Sequence, residues 1–125
     1  MNFKNKRILI VEDERDYFEI SSSIIKKEFG CGIDRAENGR DGLALALAGS
    51  YDLLLLDIGL PFLNGIELLK KLKSSGKFKT PVIMFTVRSE LDLVSEALSL
   101  GIEGYLIKPF EIDEFVLKIK NALKK

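Results

Sequence analysis

A doubly wound α/β domain, with helices on both faces of a five-stranded parallel sheet, is the fold class this sequence predicts. Three observations carry the prediction. Short apolar runs alternate with helical patterns along all 125 residues. One run, Leu53-Leu54-Leu55-Leu56, is apolar at every position, as strands buried on both faces are. No linker, repeat or low-complexity stretch breaks the alternation.

The elements follow in order. Arg7 to Val11 is strand-like, and Tyr17, Ile20, Ile24 and Ile25 then recur on one helical face. Ile33 to Ala36 is a weak second strand, and Leu43, Leu45, Ala46 and Leu47 carry a short helix after Asn38-Gly39. Leu53 to Leu56 is the third strand. Ile66, Leu68, Leu69 and Leu72 stripe a helix that ends near Ser74-Ser75-Gly76. Pro81 to Thr86 is the fourth strand, with proline at its first residue, a position strands tolerate. Leu91, Val94, Ala97, Leu98 and Leu100 form a helix closed by Gly101. Tyr105 to Ile107 is the fifth strand, and Ile112, Phe115, Val116, Ile119 and Leu123 stripe the last helix.

Composition narrows the function. Lys+Arg and Asp+Glu are both 19, so no net basic field recommends nucleic acid or an anionic membrane as a direct partner. No apolar stretch approaches the roughly 20 residues a membrane span needs. A single cysteine, Cys31, cannot form an internal disulfide, which suits a reducing cytoplasm. There is no histidine, so Ser-His and Cys-His nucleophiles, His-based metal sites and phosphohistidine chemistry are excluded within this chain. A partner must bring any histidine the chemistry needs.

Parallel strands point their carboxyl ends one way, where open α/β folds keep their ligand crevice. The residues expected there are Glu12 and Asp13 after the first strand, Asp57 after the third, Thr86 after the fourth and Lys108 after the fifth. Each has a bland reading alone: Asp13 as a helix cap, Lys108 as surface charge, Thr86 as an ordinary strand residue. Their common position is the informative feature. Three close carboxylates repel unless one is protonated or a cation joins them. Hard oxygen donors without His or Cys favour Mg²⁺, with Mn²⁺ as its equivalent. Lys108 and Thr86 suit an incoming phosphoryl group, and Asp57 is then the natural nucleophile, forming an acyl phosphate.

At these residues the chain resembles the receiver domains of bacterial two-component response regulators, the CheY-like family. The motifs are Ile8-Leu9-Ile10-Val11-Glu12-Asp13-Glu14, Asp57-Ile58-Gly59-Leu60-Pro61 with Gly65 downstream, Thr86, and Tyr105-Leu106-Ile107-Lys108-Pro109-Phe110. The resemblance covers essentially the whole chain and implies one receiver domain over 1–125, flavodoxin-like, with strand order 2-1-3-4-5. It implies a phosphorelay switch in which Asp57 takes a phosphoryl group from a sensor histidine kinase or histidine phosphotransfer protein. Asp13, Asp57 and the Gly59 carbonyl would bind the metal, Glu12 often acting through a bound water. Thr86, the Val87 backbone N–H and Lys108 would hold the phosphoryl oxygens, and Lys108-Pro109 would be cis. Thr86 and Tyr105 would form the switch pair. The helix from Glu90 to Leu100, the strand at Tyr105 and the last helix would be the output face, read by a downstream target or fused effector.

Three departures from the family pattern stand out. Gly59 has no side chain, Val87 is bulkier than the usual Ala or Gly, and Arg88 sets a guanidinium near the mouth, where it could stack on Tyr105 or screen water. Gly59 and Arg88 together are expected to set the phosphoryl lifetime. No turnover of an external substrate is expected. The alternatives are a receiver cut from a longer regulator or hybrid kinase, a pseudo-receiver that only binds partners, and a dehalogenase-like phosphatase. The last wants a second aspartate where Gly59 stands. A flavin or nucleotide module lacks its glycine-rich loop after the first strand. Phosphorylation-dependent dimers through the Val94, Leu98, Tyr105 and Phe115 region are a further expectation, although those residues equally suit a core.

Overall fold

A computed structural model describes residues 3–125 of the chain. The elements are β1 (Arg7–Val11), α1 (Arg15–Phe29), β2 (Gly32–Ala36), α2 (Gly39–Ala48), β3 (Leu53–Leu56), α3 (Gly65–Ser74), β4 (Val82–Thr86), α4 (Leu91–Leu100), β5 (Gly104–Ile107) and α5 (Ile112–Leu123). The five strands form one sheet in the order β2-β1-β3-β4-β5. Every neighbouring pair is parallel. The chain therefore leaves β1 in one direction along the sheet and β3 in the other, and the crevice opens between these two strand ends.

Alternation along the strands divides the core into two layers. Ile8, Ile10, Leu53, Leu55, Ile83 and Phe85 face α1 and α5, packing with Ile25, Phe115 and Ile119. Leu9, Val11, Leu54, Leu56, Val82 and Met84 face the other side, against Leu68, Leu69, Leu72 and Ala97. A central strand such as β3 feeds both layers, which is why all four of its leucines are buried.

Strand and helix identities match the sequence reading, but several helix faces do not. Ile20, Leu45, Leu47, Leu91, Leu98 and Ile112 are exposed. The cause in α2 is close approach: a Cβ at Gly42 would lie 2.7 Å from Val11 Cγ1, so this helix packs through Gly42 and Ala46 instead of its leucines. In α1 the inward positions include Ser21 and Ser22, whose hydroxyls donate to the carbonyls of Tyr17, Phe18 and Glu19. They are buried without an unpaired polar group, and Ile20 is left outside. Pro81 precedes β4 rather than starting it, although its carbonyl still accepts from the Leu54 N–H at 3.0 Å.

Candidate functional site

The sheet ladder runs past the strand ends and thereby places the acids. Glu12 donates its N–H to the Ala36 carbonyl at 3.0 Å, and Asp57 donates its own to Val11 at 3.2 Å. Both residues are held as rigidly as strand residues at the point where their carboxylates leave the sheet. Glu12 is buried and its carboxylate accepts the Glu14 N–H at 3.2 Å. Asp57 is 7% exposed. Asp13 is exposed on the rim. One carboxylate oxygen from each of Glu12, Asp13 and Asp57 lies within 4.8 Å of the others.

Gly65 explains how α3 can start against this turn. A Cβ there would sit 2.1 Å from the Asp57 carbonyl oxygen, so a bare backbone is required, and its N–H caps Ile58 at 2.8 Å. Asn64 secures the helix start through a capping box with Glu67. Gly59 is different: no atom lies within 4 Å of a Cβ built on it, and its N–H points at Asp57 Oδ1 at 3.4 Å.

Lys108 completes the buried cluster from β5. Its N–H donates to the Thr86 carbonyl at 2.8 Å, and the Lys108-Pro109 peptide is cis, as the resemblance implies. The ammonium pairs with Glu12 and lies 3.5 Å from Asp57 Oδ2. It also sits over the rings of Tyr17, 4.2 Å from the centroid, and Phe85, at 4.9 Å. The aromatic faces add attraction for a cation that has lost its water.

Thr86 is fully buried at the end of β4, and its hydroxyl accepts the Arg88 N–H at 3.2 Å. Tyr105 donates its phenol proton to the Arg88 carbonyl at 2.7 Å. Arg88 itself does not stack on Tyr105; its guanidinium pairs with Glu90 at 2.9 Å, turned along the β4–α4 loop. Val87 is exposed. Of the residues named for dimers, Phe115 is core, Val94 and Tyr105 are half-buried, and Leu98 is outside.

Burial dominates the electrostatics. It pushes the Glu12 carboxyl up from 4.5 to about 7, the Lys108 ammonium opposing and the Asp57 charge assisting. Burial also raises the Tyr105 phenol. One ammonium against three carboxylates leaves negative charge uncompensated among hard oxygen donors. That donor set fits a divalent cation of the Mg²⁺ kind.

Three contributors escaped the sequence reading. Tyr17 and Phe85 read as core aromatics, yet both face the Lys108 ammonium. Arg35, on β2, reads as surface charge, yet its guanidinium donates to the carbonyls of Glu12 at 3.1 Å and Asp13 at 3.3 Å. The expected neighbourhood of β2 and β1 brings Arg35 near, but only the path of its side chain shows which carbonyls it reaches.

Fold and rim define the class: an open parallel α/β domain with acids, a hydroxyl and an ammonium at one strand-end crevice. The chain belongs to the response regulator receiver domain family, whose model matches residues 8–120. That makes it a signalling domain of two-component response regulators rather than a substrate-turnover enzyme. It is 39% identical over 120 residues to the transcriptional regulatory protein PcoR of Escherichia coli, covering 96% of this chain and 52% of that one. It is 40% identical over 114 residues to DltR of Streptococcus agalactiae, covering 91% and 50%. The chain thus spans about half the length of the curated relatives it matches. Among solved structures, the receiver domain of Francisella response regulator 1452 superposes with TM-score 0.87 at 29% identity, covering 96% of this chain and 98% of that one. A CheY-like receiver from Methanospirillum hungatei superposes at 0.85 with 31% identity, covering 95% and 94%. Among the described residues no helix is long and apolar enough to cross a membrane.

Proposed function

We propose that residues 1–125 act as a single phosphoaccepting switch in a cytoplasmic two-component phosphorelay, with Asp57 as the acceptor. One observation carries this reading. Asp57 is a nearly buried carboxylate 3.5 Å from a buried ammonium, inside a cluster of acids, at the end of a central strand. A carboxylate kept there without a role would be a poor use of burial.

In the transfer, an Asp57 oxygen attacks the phosphorus of a phosphohistidine brought by a sensor kinase or histidine phosphotransfer protein. The P–N bond breaks, its electron pair leaves with the imidazole, and Asp57 becomes an acyl phosphate. Lys108 exchanges its carboxylate contacts for a phosphoryl oxygen. Thr86 gives up its bond from Arg88 and donates its hydroxyl proton to another, beside the Val87 N–H. Asp13, Asp57 and the Gly59 carbonyl would hold Mg²⁺ or Mn²⁺, with Glu12 one water away. When bound, the ion supplies charge neutralisation for the attacking and transferred oxygens.

The histidine-bearing partner would dock beside this site. Ile20 of α1 and Pro109, Phe110 and Ile112 line an apolar groove of about 360 Å³, with Tyr17, whose ring faces the Lys108 ammonium, also in its wall. An amphipathic helix carrying the phosphohistidine would bury its apolar face there. On the output side, Tyr105 leaving the Arg88 carbonyl would follow Thr86 inward and repack α4, β5 and α5 for a downstream target, a fused effector or a second copy. Of the four residues expected at a dimer contact, Val94, Leu98, Tyr105 and Phe115, Leu98 is the exposed one.

Intact mass after incubation with acetyl phosphate and Mg²⁺, beside Asp57→Asn, tests the reading. One phosphoryl adduct that needs the metal and vanishes in the mutant is expected. No adduct in the parent protein would overturn the acceptor role. Arg88→Ala should alter the rate at which the adduct decays. An unchanged rate removes Arg88 from control of the phosphoryl lifetime.

A further inference from the structure

We propose that Arg35 is a positioning residue for the cation-binding acids, gripping their backbone from the β2 side of the sheet. The inference rests on the metal-binding part of the reading above. Two observations carry it. The guanidinium donates from Nε to the Glu12 carbonyl at 3.1 Å and from one terminal nitrogen to the Asp13 carbonyl at 3.3 Å. It is also fixed in place, lying over the Phe18 ring at 4.8 Å with its other terminal nitrogen 3.8 Å from Glu37.

The geometry distinguishes this from ordinary surface charge. Successive carbonyls of a strand point opposite ways, so both can reach one guanidinium only where the chain turns. Arg35 therefore bonds the turn in which β1 becomes the β1–α1 loop, and a planar fork fixes two acceptors at once where a point charge holds one. The same segment is tied elsewhere by the Glu12 N–H to Ala36 and by the Glu12 carboxylate to Lys108. Glu12 is held from both flanks of the sheet, backbone toward β2 and side chain toward β5. Among the described residues Asp13 has no such second tie: it is exposed, and Arg35 on its carbonyl is what orders the residue whose carboxylate must meet the ion. Partners that orient metal ligands in this way are commonly worth about 10–100-fold in affinity.

The test compares wild type, Arg35→Gln and Arg35→Lys. Mn²⁺ binding is followed by the electron paramagnetic resonance of free Mn²⁺, and amide hydrogen exchange is measured in metal-free protein. Arg35→Gln should bind Mn²⁺ about tenfold more weakly. Its Glu14 amide should exchange faster, while the Leu54 to Leu56 amides keep their wild-type protection. Arg35→Lys, which keeps the charge but loses the fork, should resemble Arg35→Gln. Wild-type affinity in Arg35→Gln, with or without a lower melting temperature, overturns the positioning role and leaves a packing role. Wild-type affinity in Arg35→Lys overturns the fork in favour of charge alone. Wild type that binds no Mn²⁺ overturns the metal reading itself, a different failure.

Discussion

At the scale of single residues, the buried cluster is a trade between stability and readiness. Glu12 is almost wholly buried, and burial pushes its carboxyl up from 4.5 to about 7. Between those values the unfolded chain has released the proton that the fold retains. The fold accordingly loses stability as pH rises across that window, on the order of 3 kcal/mol for this group. Glu12→Gln removes the titration. In metal-free buffer at pH 8 it should be more stable than wild type by about 2 kcal/mol, with the difference shrinking toward pH 4.5. Urea denaturation at several pH values checks this, and a variant less stable at pH 8 would contradict it. The two glycines after Asp57 make a second contrast. Gly65→Ala forces a Cβ to 2.1 Å from the Asp57 carbonyl and should cost about 3 kcal/mol or prevent folding. Gly59→Ala meets nothing and should stay within about 0.5 kcal/mol of wild type. Equal costs at the two positions would refute the close-approach account of Gly65.

At the scale of elements, what could be read in the sequence was whatever depends on local pattern. Leu53 to Leu56 needs no partner to declare itself a doubly buried strand, and its end at Asp57 follows directly. Strand ends also revealed Thr86 and Lys108, because parallel strands share a direction. Helix faces were less legible, since a helix buries the side its neighbours allow. Leu91 and Leu98 share a helical stripe in sequence, yet α4 buries only Ala97 fully. Leu98→Gln should therefore change stability by less than about 0.5 kcal/mol, where a core leucine would cost 2 kcal/mol or more. Thermal unfolding decides between them, and a large loss would return Leu98 to the core. Asn64 is a stronger local determinant. Its side chain accepts the Glu67 N–H at 2.9 Å and Glu67 returns the bond at 3.2 Å, so Asn64→Ala should cost about 1 kcal/mol.

At the scale of the whole molecule, the site exists only because four strand ends meet. Glu12 and Lys108 are 96 residues apart, and Arg35 reaches Glu12 across β2 and β1. Which way a side chain turns at a strand end is set by its packing, which is why the contacts of Arg35, Tyr17 and Phe85 stayed invisible in sequence while the rim carboxylates did not. The same convergence gathers negative charge, so the fold and a divalent cation are thermodynamically linked. A ligand that binds only the folded chain stabilises it, by about 2.7 kcal/mol at a hundred times its dissociation constant. Raising Mg²⁺ at constant ionic strength should lift the melting temperature of wild type progressively. Asp13→Asn is the decisive control, because Asp13 is exposed and its removal should leave metal-free stability nearly unchanged while flattening the Mg²⁺ response. The response should also be larger at pH 8 than at pH 5, since burial raises the Glu12 carboxyl to about 7 and more of its charge then needs an opposing one. An increment equal in Asp13→Asn and wild type, or independent of pH, would mean that Mg²⁺ acts on the general surface and not at the rim where β1 and β3 end.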